Sequence, residues 1–378
     1  MKTIMDLETF IAEGEYFLQR ALLRMRRAGL DIGTCDIDHL CFRVHSEDEY
    51  SLYKVLLSEQ AVLLTEVPVN GRFIATFKLH QGFRIGDRVV NVVELPAPKK
   101  SCTYLTGFEH LEVVISESFE TFQAHYPHLL FEPVARKVLN SELCLKFEDF
   151  QVKFHHNSLE RVIEIEEAEL SDIVFDLDGT LVDSLQQILE VNRRVLSEIL
   201  QRDVTQDEVI TNFHSDFKGI FVAFQIVEEA AQRRFIQRWS TLSKEASYFL
   251  FEGVMSLLSH CKDQSLRLHL WTARDFESTI HILDALGVVE YFDSMSCANE
   301  ESSKPQATNF IGSSSREVGA FIMLGDSATD MLAAQNIKAI AAAASWNSVV
   351  VHDDLIKAGA EISFKKPTEF LNWLKERW

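Results

Sequence analysis

The chain has 378 residues, which is long for one hydrophobic core and typical of two domains of ordinary size. With 47% hydrophobic and 25% charged residues it has a globular composition, and no apolar run reaches the roughly 18 residues that a membrane span needs. The net charge is −20 and both halves are acidic, which argues against nucleic acid as a partner because such binding relies on lysine and arginine contacts to phosphate. We therefore expect neither a nucleic-acid nor a membrane partner.

The opening segment, MKTIMDLETFIAEGEYFLQR, is predicted to form an amphipathic helix rather than a signal peptide, because acidic residues interrupt its apolar positions. The six cysteines are scattered without a CxxC pair, as expected of reduced thiols. Both features predict a cytoplasmic protein.

The first half, residues 1–166, is predicted to be an α+β domain. The strand-like runs HLCFRV, RFIATFKL, VVNVVEL, HLEVVI and QVKF dominate it. Helices are predicted at 1–28, near 47–60 and near 118–126. The acidic segment EIEEAELS, residues 164–171, is interpreted as the boundary region, so residues 167–378 form the second domain.

A weak internal repeat in the first half places a histidine at the start of two strands, in DHLCFRV and EHLEVVI. The first unit finishes in NVVELPAP and the second in VKFHH. A histidine at a strand start is more often a packed or surface residue than a ligand. If the two units pair, however, four nitrogen and oxygen ligands converge between them, a set that suits zinc, manganese, iron or nickel. The four candidate ligands are His39, Glu94, His110 and His155. Arg43, on the first of these strands, either faces the same cavity and holds an anion or faces water.

The same segments, together with NGRFIATFKLH and VKFHHNSLERVIE, resemble the YecM family, a branch of the vicinal oxygen chelate (glyoxalase-like) superfamily. The resemblance implies a fold of paired βαβββ units and a metal site at the four positions given above. Relatives commonly have glutamate at the fourth position, so His155 departs from the pattern. The resemblance implies a fold and a candidate site, but no particular reaction.

The second half alternates apolar strand-like runs with helical stretches, which predicts an α/β domain with a parallel sheet. The first run, IVFDLDGTLVDS, ends in two carboxylates, Asp176 and Asp178. Because alternate side chains of a strand project to the same side, the two charges repel each other unless a cation binds. The pair therefore predicts a metal ion.

Three further motifs follow in chain order. The run LHLW ends in Thr272 and Ala273, Lys304 lies in SSKP, and IMLGDSATD supplies Asp326 and Asp330. Taken singly, each motif has a structural interpretation as a loop, a helix start, a solvated charge or an N-cap. Because the carboxyl ends of parallel strands form the ligand crevice, the four motifs together predict one active site.

This set of motifs resembles the haloacid dehalogenase superfamily, whose members have a Rossmann-like α/β core. The resemblance implies that Asp176 is the nucleophile that forms an aspartyl-phosphate, and that Asp178 protonates the leaving group and later activates water. It also implies Mg²⁺ bound by Asp176, the Asp178 carbonyl and Asp326.

The remaining motif residues match positions that hold the transferred group. The resemblance implies that Thr272, the Ala273 amide and Lys304 bind the phosphoryl oxygens, and that Asp330 orients Lys304 or the metal shell. Asp178 favours phosphomonoester hydrolysis over cleavage of carbon–halogen or carbon–phosphorus bonds, which need no acid at that position.

The insert at about residues 185–251 has a helical pattern and resembles the helical cap of the phosphoglycolate phosphatase-like branch. Such a cap excludes water and bulky substrates, which favours a small phosphorylated metabolite. Arg274, two residues after Thr272, is a candidate substrate contact because it lies near the crevice.

These observations favour a magnesium-dependent phosphatase fused to a metal- or metabolite-binding domain. Three alternatives remain open at this point. The enzyme is a phosphomutase, the first half senses a ligand and regulates the second, or the two halves act on successive intermediates.

Overall fold

The computed structural model describes residues 5–33, 35–99, 105–134, 139, 141–214, 217–298, 321–348 and 350–377. The chain divides into two compact units, Met1–Glu167 and Ala168–Trp378. The sequence places the boundary after residue 166, beside this division.

The first unit is an α+β domain built on one eight-stranded sheet. Its helices are α1 (Leu7–Arg27), α2 (Glu47–Ser58), α3 (Phe119–His125) and α4 (Leu159–Glu167). Its strands are β1 (Asp36–Arg43), β2 (Ala61–Val69), β3 (Arg72–Ile85), β4 (Arg88–Pro96), β5 (Gly107–Val114), β6 (Phe131–Val134), β7 (Glu142–Lys146) and β8 (Gln151–His155). The order along the chain is therefore βαβββ twice, as the resemblance implied.

The two repeats meet in the middle of the sheet, whose strand order is β2-β3-β4-β1-β5-β8-β7-β6. Strands β1 and β5, the first strand of each repeat, pair in antiparallel register, with His39 opposite Glu112 and Cys41 opposite His110. This pairing brings the two repeat-related histidines onto adjacent strands.

One face of this sheet is apolar and the other carries polar groups. On β1 the alternate residues Leu40 and Phe42 are fully buried in the hydrophobic core, where Phe42 contacts Phe10 of α1. Because side chains alternate along a strand, His39 projects to the opposite face. The amphipathic α1 therefore covers one face, and polar groups gather on the other.

The segment expected to be a boundary region is partly helical. Helix α4 continues through Glu167 and buries Val162 and Ile165. This apolar helix face was not recognised in the sequence, because Val162 and Ile165, three residues apart, lie among acidic residues that point to solvent.

The second unit is an α/β domain with a six-stranded parallel sheet. Its sheet strands are β9 (Asp172–Phe175), β12 (Arg267–Asp275), β13 (Ser294–Ala298), β14 (Phe321–Gly325), β15 (Ile340–Ala344) and β16 (Ile362–Phe364). The helices around it are α9 (Val254–Asp263), α10 (Phe276–Ala285), α11 (Ala328–Asn336), α12 (His352–Lys357) and α13 (Pro367–Lys375).

A helical cap is inserted after β9. It contains α5 (Leu185–Leu200), α6 (Gln206–Thr211), α7 (Phe217–Ala223) and α8 (Glu229–Glu245). The chain enters and leaves the cap through β10 (Val182–Asp183) and β11 (Phe249–Leu250), which pair in antiparallel register. The helices enclose a separate apolar core that includes Phe235 and Trp239.

The sheet order is β13-β12-β9-β14-β15-β16. The chain proceeds from β9 to one side and then from β14 to the other, so the order reverses between these two strands. Ligands of open α/β sheets bind at such a reversal, outside the carboxyl ends of the strands. Within the described residues, none of the helices is both long enough and apolar enough to cross a bilayer.

Candidate active site and metal centre

Three carboxylates converge at the reversal point of the parallel sheet. Asp176 follows β9, Asp326 follows β14, and Asp330 lies in the first turn of α11. One oxygen from each lies within 4.8 Å of the others, and Asp176 and Asp330 are buried. Hard oxygen ligands in this arrangement suit Mg²⁺, which is commonly bound through a few carboxylates and completes its shell with water and substrate oxygens.

Two glycines leave room for these carboxylates. Gly179 has a φ of +80°, and a Cβ placed on it would lie 1.9 Å from Asp326 Oδ2. A Cβ on Gly325 would lie 2.3 Å from the Asp330 carboxyl carbon. The loops after β9 and β14 can therefore approach each other closely only without side chains at these positions.

The carboxylates are held by neighbouring donors. Asn347 donates a 3.0 Å hydrogen bond to Asp326 Oδ2, and the Thr180 hydroxyl lies 3.4 Å from Asp176 Oδ2. Asp330 forms a capping box with Ser327, accepting from its backbone amide and its hydroxyl. This cap fixes the start of α11 and with it the position of Asp330.

Asp178 is not part of the group formed by Asp176, Asp326 and Asp330. Its carboxylate is bound by Arg274 instead. Arg274 Nε donates to Asp178 Oδ2 over 2.6 Å, and Nη2 donates to Oδ1 over 2.7 Å. Burial disfavours the charge of Arg274, but the Asp178 carboxylate raises the pKa of the guanidinium above its usual value. Arg274 was expected to contact substrate; in the structure it is 3% exposed and its donors are directed at the protein.

The second motif lies at the same edge of the sheet. Thr272 is buried on β12, and its hydroxyl accepts a 3.1 Å hydrogen bond from the Arg274 amide. Ala273 follows it on the strand. Lys304, the predicted phosphoryl-binding lysine, lies outside the described residues.

In the first unit, the polar face of the sheet gathers His39, Glu94, His110 and Glu112. One ligand atom from each lies within 4.8 Å of the others. The Nε2 atoms of His39 and His110 lie 3.5 and 3.2 Å from Glu112 Oε1, and 3.9 and 4.0 Å from Glu94 Oε2. Within the part of the chain that the structure describes, neither nitrogen has a hydrogen-bond partner, although both are buried.

The other ring nitrogen of each histidine contacts the carboxylate of the preceding residue. His39 Nδ1 lies 2.7 Å from Asp38 Oδ2, and His110 Nδ1 lies 3.1 Å from Glu109 Oε2. Carboxylates that bind the distal nitrogen in this way orient the ligating histidines of metal sites.

His155 was predicted to complete the ligand set, but it does not belong to this group of four. Its Nε2 atom contacts the other carboxylate oxygen of Glu112, and Lys153 Nζ donates to Glu112 Oε1 over 2.8 Å. Glu112 and Lys153 were missed in the sequence. The signal for Glu112 was present, because it lies two residues after His110 and so on the same face of β5.

The charges of this site are strongly perturbed. Burial disfavours a charged His110, yet Cys41 and Glu109 raise its pKa to about 10. Burial likewise opposes the charge of His39, and Glu112 and Asp38 raise its pKa well above the usual value. The acidic surroundings therefore favour positive charge at these two imidazoles.

Arg43 lines the same cleft, which has a volume of roughly 50 Å³ and includes Arg72. The Arg43 Nε atom donates to Glu109, and burial opposes the Glu109 charge while His110 and Arg43 lower the pKa of its carboxyl to about 2. Arg43 therefore takes part in the carboxylate network behind His110. Its role as an anion contact stays a prediction.

Two family models match the chain. The YecM protein model matches residues 6–147, and the haloacid dehalogenase-like hydrolase model matches residues 173–344. Protein YecM of Escherichia coli is 25% identical, over 44% of this chain and 97% of its own length. Pyrophosphatase PpaX of Bacillus pumilus is 22% identical, over 54% and 96%. Phosphoglycolate phosphatase of Agrobacterium fabrum is 25% identical, over 43% and 75%.

The fold and the site thus define a protein with one α+β domain and one α/β hydrolase domain. The first domain matches the YecM protein family, and the second matches the haloacid dehalogenase-like hydrolase family.

Proposed function

We propose that the second domain hydrolyses a small phosphomonoester through an aspartyl-phosphate on Asp176. The convergence of the Asp176, Asp326 and Asp330 oxygens within 4.8 Å carries this proposal, because three carboxylates so close together need a cation. Mg²⁺ fits the donor set, which consists of hard oxygens, and would be held by these side chains with the Asp178 carbonyl. When bound, it supplies neutralisation of the phosphoryl charge.

The protein groups divide the reaction into two displacements. Asp176 Oδ attacks phosphorus while the bond to the leaving oxygen breaks, and Asp178 gives that oxygen its proton. Water then attacks the aspartyl-phosphate, loses a proton to Asp178, and inorganic phosphate departs. Thr272, the Ala273 amide and Lys304 would hold the phosphoryl oxygens in both steps.

The helical cap supports a small substrate rather than a phosphoprotein. A cap attached through the short strands β10 and β11 can cover the crevice and exclude bulky groups. The phosphoglycolate phosphatase relative and the pyrophosphatase relative are consistent with a small phosphorylated metabolite. We also predict a cytoplasmic location, in keeping with the free thiols of Cys35, Cys41, Cys144, Cys261 and Cys297.

The test is a panel of small phosphomonoesters and pyrophosphate, assayed for phosphate release with Mg²⁺ and with a chelator. We expect magnesium-dependent turnover of at least one phosphomonoester. Turnover that requires an added bisphosphate and moves the phosphoryl group within the substrate would support a phosphomutase instead. Phosphate release that is equal with and without chelator would contradict the proposal.

We propose, as a second function, that the first domain binds one transition-metal ion through His39, Glu94, His110 and Glu112. The buried Nε2 atoms of His39 and His110 support it, because each is directed at acidic oxygens without forming a hydrogen bond among the described residues. Tetrahedral ligand bonds of about 2.0–2.2 Å separate ligand atoms by about 3.3–3.6 Å. The observed separations of 3.2–4.0 Å are close to this range.

The nature of the ligands favours zinc, manganese, iron or nickel over magnesium, since imidazole nitrogen suits these metals. His155 and Lys153 would then orient Glu112 rather than bind the ion. The metal-loaded domain either catalyses a reaction or senses a ligand that regulates the phosphatase. A difference in phosphate release between protein with the first site loaded and protein with that site empty would support regulation.

A further inference from the structure

The surroundings of Arg274 differ from those of a substrate-binding arginine. It lies on β12, only 3% exposed, and holds both oxygens of Asp178 with Nε and Nη2 at 2.6 and 2.7 Å. Two parallel hydrogen bonds from a planar guanidinium fix both the position and the orientation of a carboxylate. The position of the Asp178 carboxylate is therefore set by the position of Arg274.

The remaining edge of the guanidinium is held by the cap. Arg274 Nη1 donates to Ser243 Oγ over 2.6 Å and lies 3.5 Å from the Tyr248 hydroxyl. Ser243 belongs to α8, the last cap helix, and Tyr248 lies in the segment that leads from α8 to β11. Both side chains are buried, so these bonds are shielded from water.

Aromatic rings enclose the same group. The guanidinium carbon of Arg274 lies 5.3 Å from the centre of the Trp239 ring and 4.9 Å from that of Tyr248. Such contacts stabilise the positive charge of the guanidinium through the negative faces of the rings. Trp239 donates a 2.8 Å hydrogen bond to Asn192, which joins α8 to α5. The position of Arg274 thus depends on the packing of the cap.

These contacts leave Arg274 little capacity for a substrate. A guanidinium has five N–H donors, and the bonds to Asp178, Ser243 and Tyr248 engage four of them. A substrate anion could bind Arg274 only by displacing Asp178 from its two hydrogen bonds to the guanidinium. The geometry suits a group that acts through Asp178.

We infer that Arg274 is a positioning residue, which couples the placement of the cap helix α8 to the orientation of the Asp178 carboxylate. This inference rests on the proposed function, in which Asp178 is the acid and base. A cap that moves away takes Ser243, Trp239 and Tyr248 from Arg274, and Asp178 then loses the support that aligns it with the leaving oxygen. Closure of the cap and alignment of the acid are therefore one event.

The test compares the full-length wild type with Arg274→Lys, Arg274→Gln, Asp178→Asn and the double variant Arg274→Gln/Asp178→Asn. Each is assayed on nitrophenyl phosphate, whose leaving group needs little protonation, and on an alkyl phosphate that the wild type hydrolyses. We expect Arg274→Gln to lower kcat by about tenfold or more on the alkyl phosphate, and less on nitrophenyl phosphate, with KM changed less than about threefold. Arg274→Lys should recover part of kcat. In the Asp178→Asn background the same change should cost less than about threefold, because the group that it positions is already inactive.

The cap contacts provide a second arm. Ser243→Ala and Tyr248→Phe should lower kcat with the same dependence on the leaving group, by smaller factors, and they decide the question if the Arg274 variants fail to fold. Arg238→Gln is the matched control, since Arg238 also lies on α8 and forms an exposed bidentate pair with Glu198 of α5. It should leave kcat and KM unchanged.

Three results would overturn the inference. Losses that add in the double variant would mean that Arg274 acts independently of Asp178. A rise in KM without a fall in kcat would make Arg274 a substrate contact. Losses equal for both leaving groups would indicate a structural role only. If the wild type hydrolyses no phosphomonoester, the proposed function fails and the inference fails with it, whereas these three results leave the proposed function intact.

Discussion

Gly179 and Asp326 approach so closely that no side chain fits between them: a Cβ on Gly179 would lie 1.9 Å from Asp326 Oδ2 and 2.6 Å from Asn347 Nδ2. Since Asn347 donates a hydrogen bond to that same oxygen, a methyl group here would displace the carboxylate and its donor together. The position of the Asp326 carboxylate, which we assign as a magnesium ligand, thus depends on Gly179 in the loop that follows Asp176.

We predict that Gly179→Ala lowers phosphate release by about a hundredfold or more and weakens the magnesium dependence, because Asp326 is pushed away from Asp176. Gly287→Ala is the matched control. Gly287 also has a positive φ, +69°, but a Cβ there meets nothing within 4 Å. Both variants incur the backbone strain of about 1–2 kcal/mol, and only Gly179→Ala should lose activity. Equal activities, measured at saturating substrate, would refute the steric argument.

The carboxylates were predictable because local rules place them. An apolar strand followed by acids, repeated at Asp176 and Asp326, puts those side chains at the carboxyl edge of a parallel sheet whatever the rest of the fold does. Asp330 follows from the capping pattern of a helix start, with Ser327 three residues before it.

The partners of these groups were not predictable in the same way. Asp178 and Arg274 lie 96 residues apart in the chain, and the contacts of Arg274 with the cap depend on where α8 ends. In the first domain, His39 and His110 follow from the repeat. Glu112 rather than His155 lies in the group with His39 and His110 because the antiparallel register of β1 and β5 places His39 opposite Glu112. Register of this kind is set by packing across the whole sheet.

The nucleophile is tested by Asp176→Asn. The amide neither attacks phosphorus nor offers a full charge to a cation, so phosphate release should fall by more than about a hundredfold, or about 2.7 kcal/mol. Asp183→Asn, which changes an exposed carboxylate on β10, should retain activity. Tryptophan fluorescence checks the fold, because all five tryptophans follow residue 167. Turnover at a tenth of wild type or above would remove Asp176 as the nucleophile.

Asp172 should make the stability of the second domain depend on acid pH. It is buried at the start of β9, where its carboxylate contacts His269 Nε2 and Arg267 Nη2, each at 2.8 Å. Burial opposes the charge, but His269, Ser171 and Arg267 lower its pKa below the usual 3.8. A lowered pKa means that the ionised form stabilises the folded state. This contribution is complete above the unfolded value and is lost as pH falls through the folded value.

We therefore expect the free energy of unfolding, followed by tryptophan fluorescence in urea, to decrease below about pH 4 in the wild type. Asp172→Asn should be less stable at pH 7 by about 1–3 kcal/mol and should show a weaker decrease in acid. The exposed Asp263 provides the control, since Asp263→Asn should reproduce the wild-type curve. An Asp172→Asn curve parallel to that of the wild type would show that this carboxyl does not carry the acid sensitivity.

The metal centre of the first domain is tested by elemental analysis of the full chain, purified without a histidine tag and supplied with zinc, manganese, iron or nickel at micromolar concentrations. We expect close to one equivalent of one of these metals, retained in Asp176→Asn because the site is separate from the magnesium site. His110→Ala and Glu112→Gln should lose most of it, since each removes a proposed ligand.

His155→Ala distinguishes the two possible ligand sets. If His155 only orients Glu112, its loss should weaken affinity by about 10–100-fold without abolishing binding, the usual effect of a group behind the ligands. His125→Ala, which changes a histidine with 56% side-chain exposure, should bind as the wild type does.

Metal occupancy should also fall in acid, because imidazole must be neutral to ligate and the raised pKa values of His39 and His110 make protons strong competitors. Full binding by Glu112→Gln together with none by His155→Ala would restore His155 as the fourth ligand. Failure of the wild type to bind any of the four metals would leave the first domain as a binding or scaffolding domain without a metal centre.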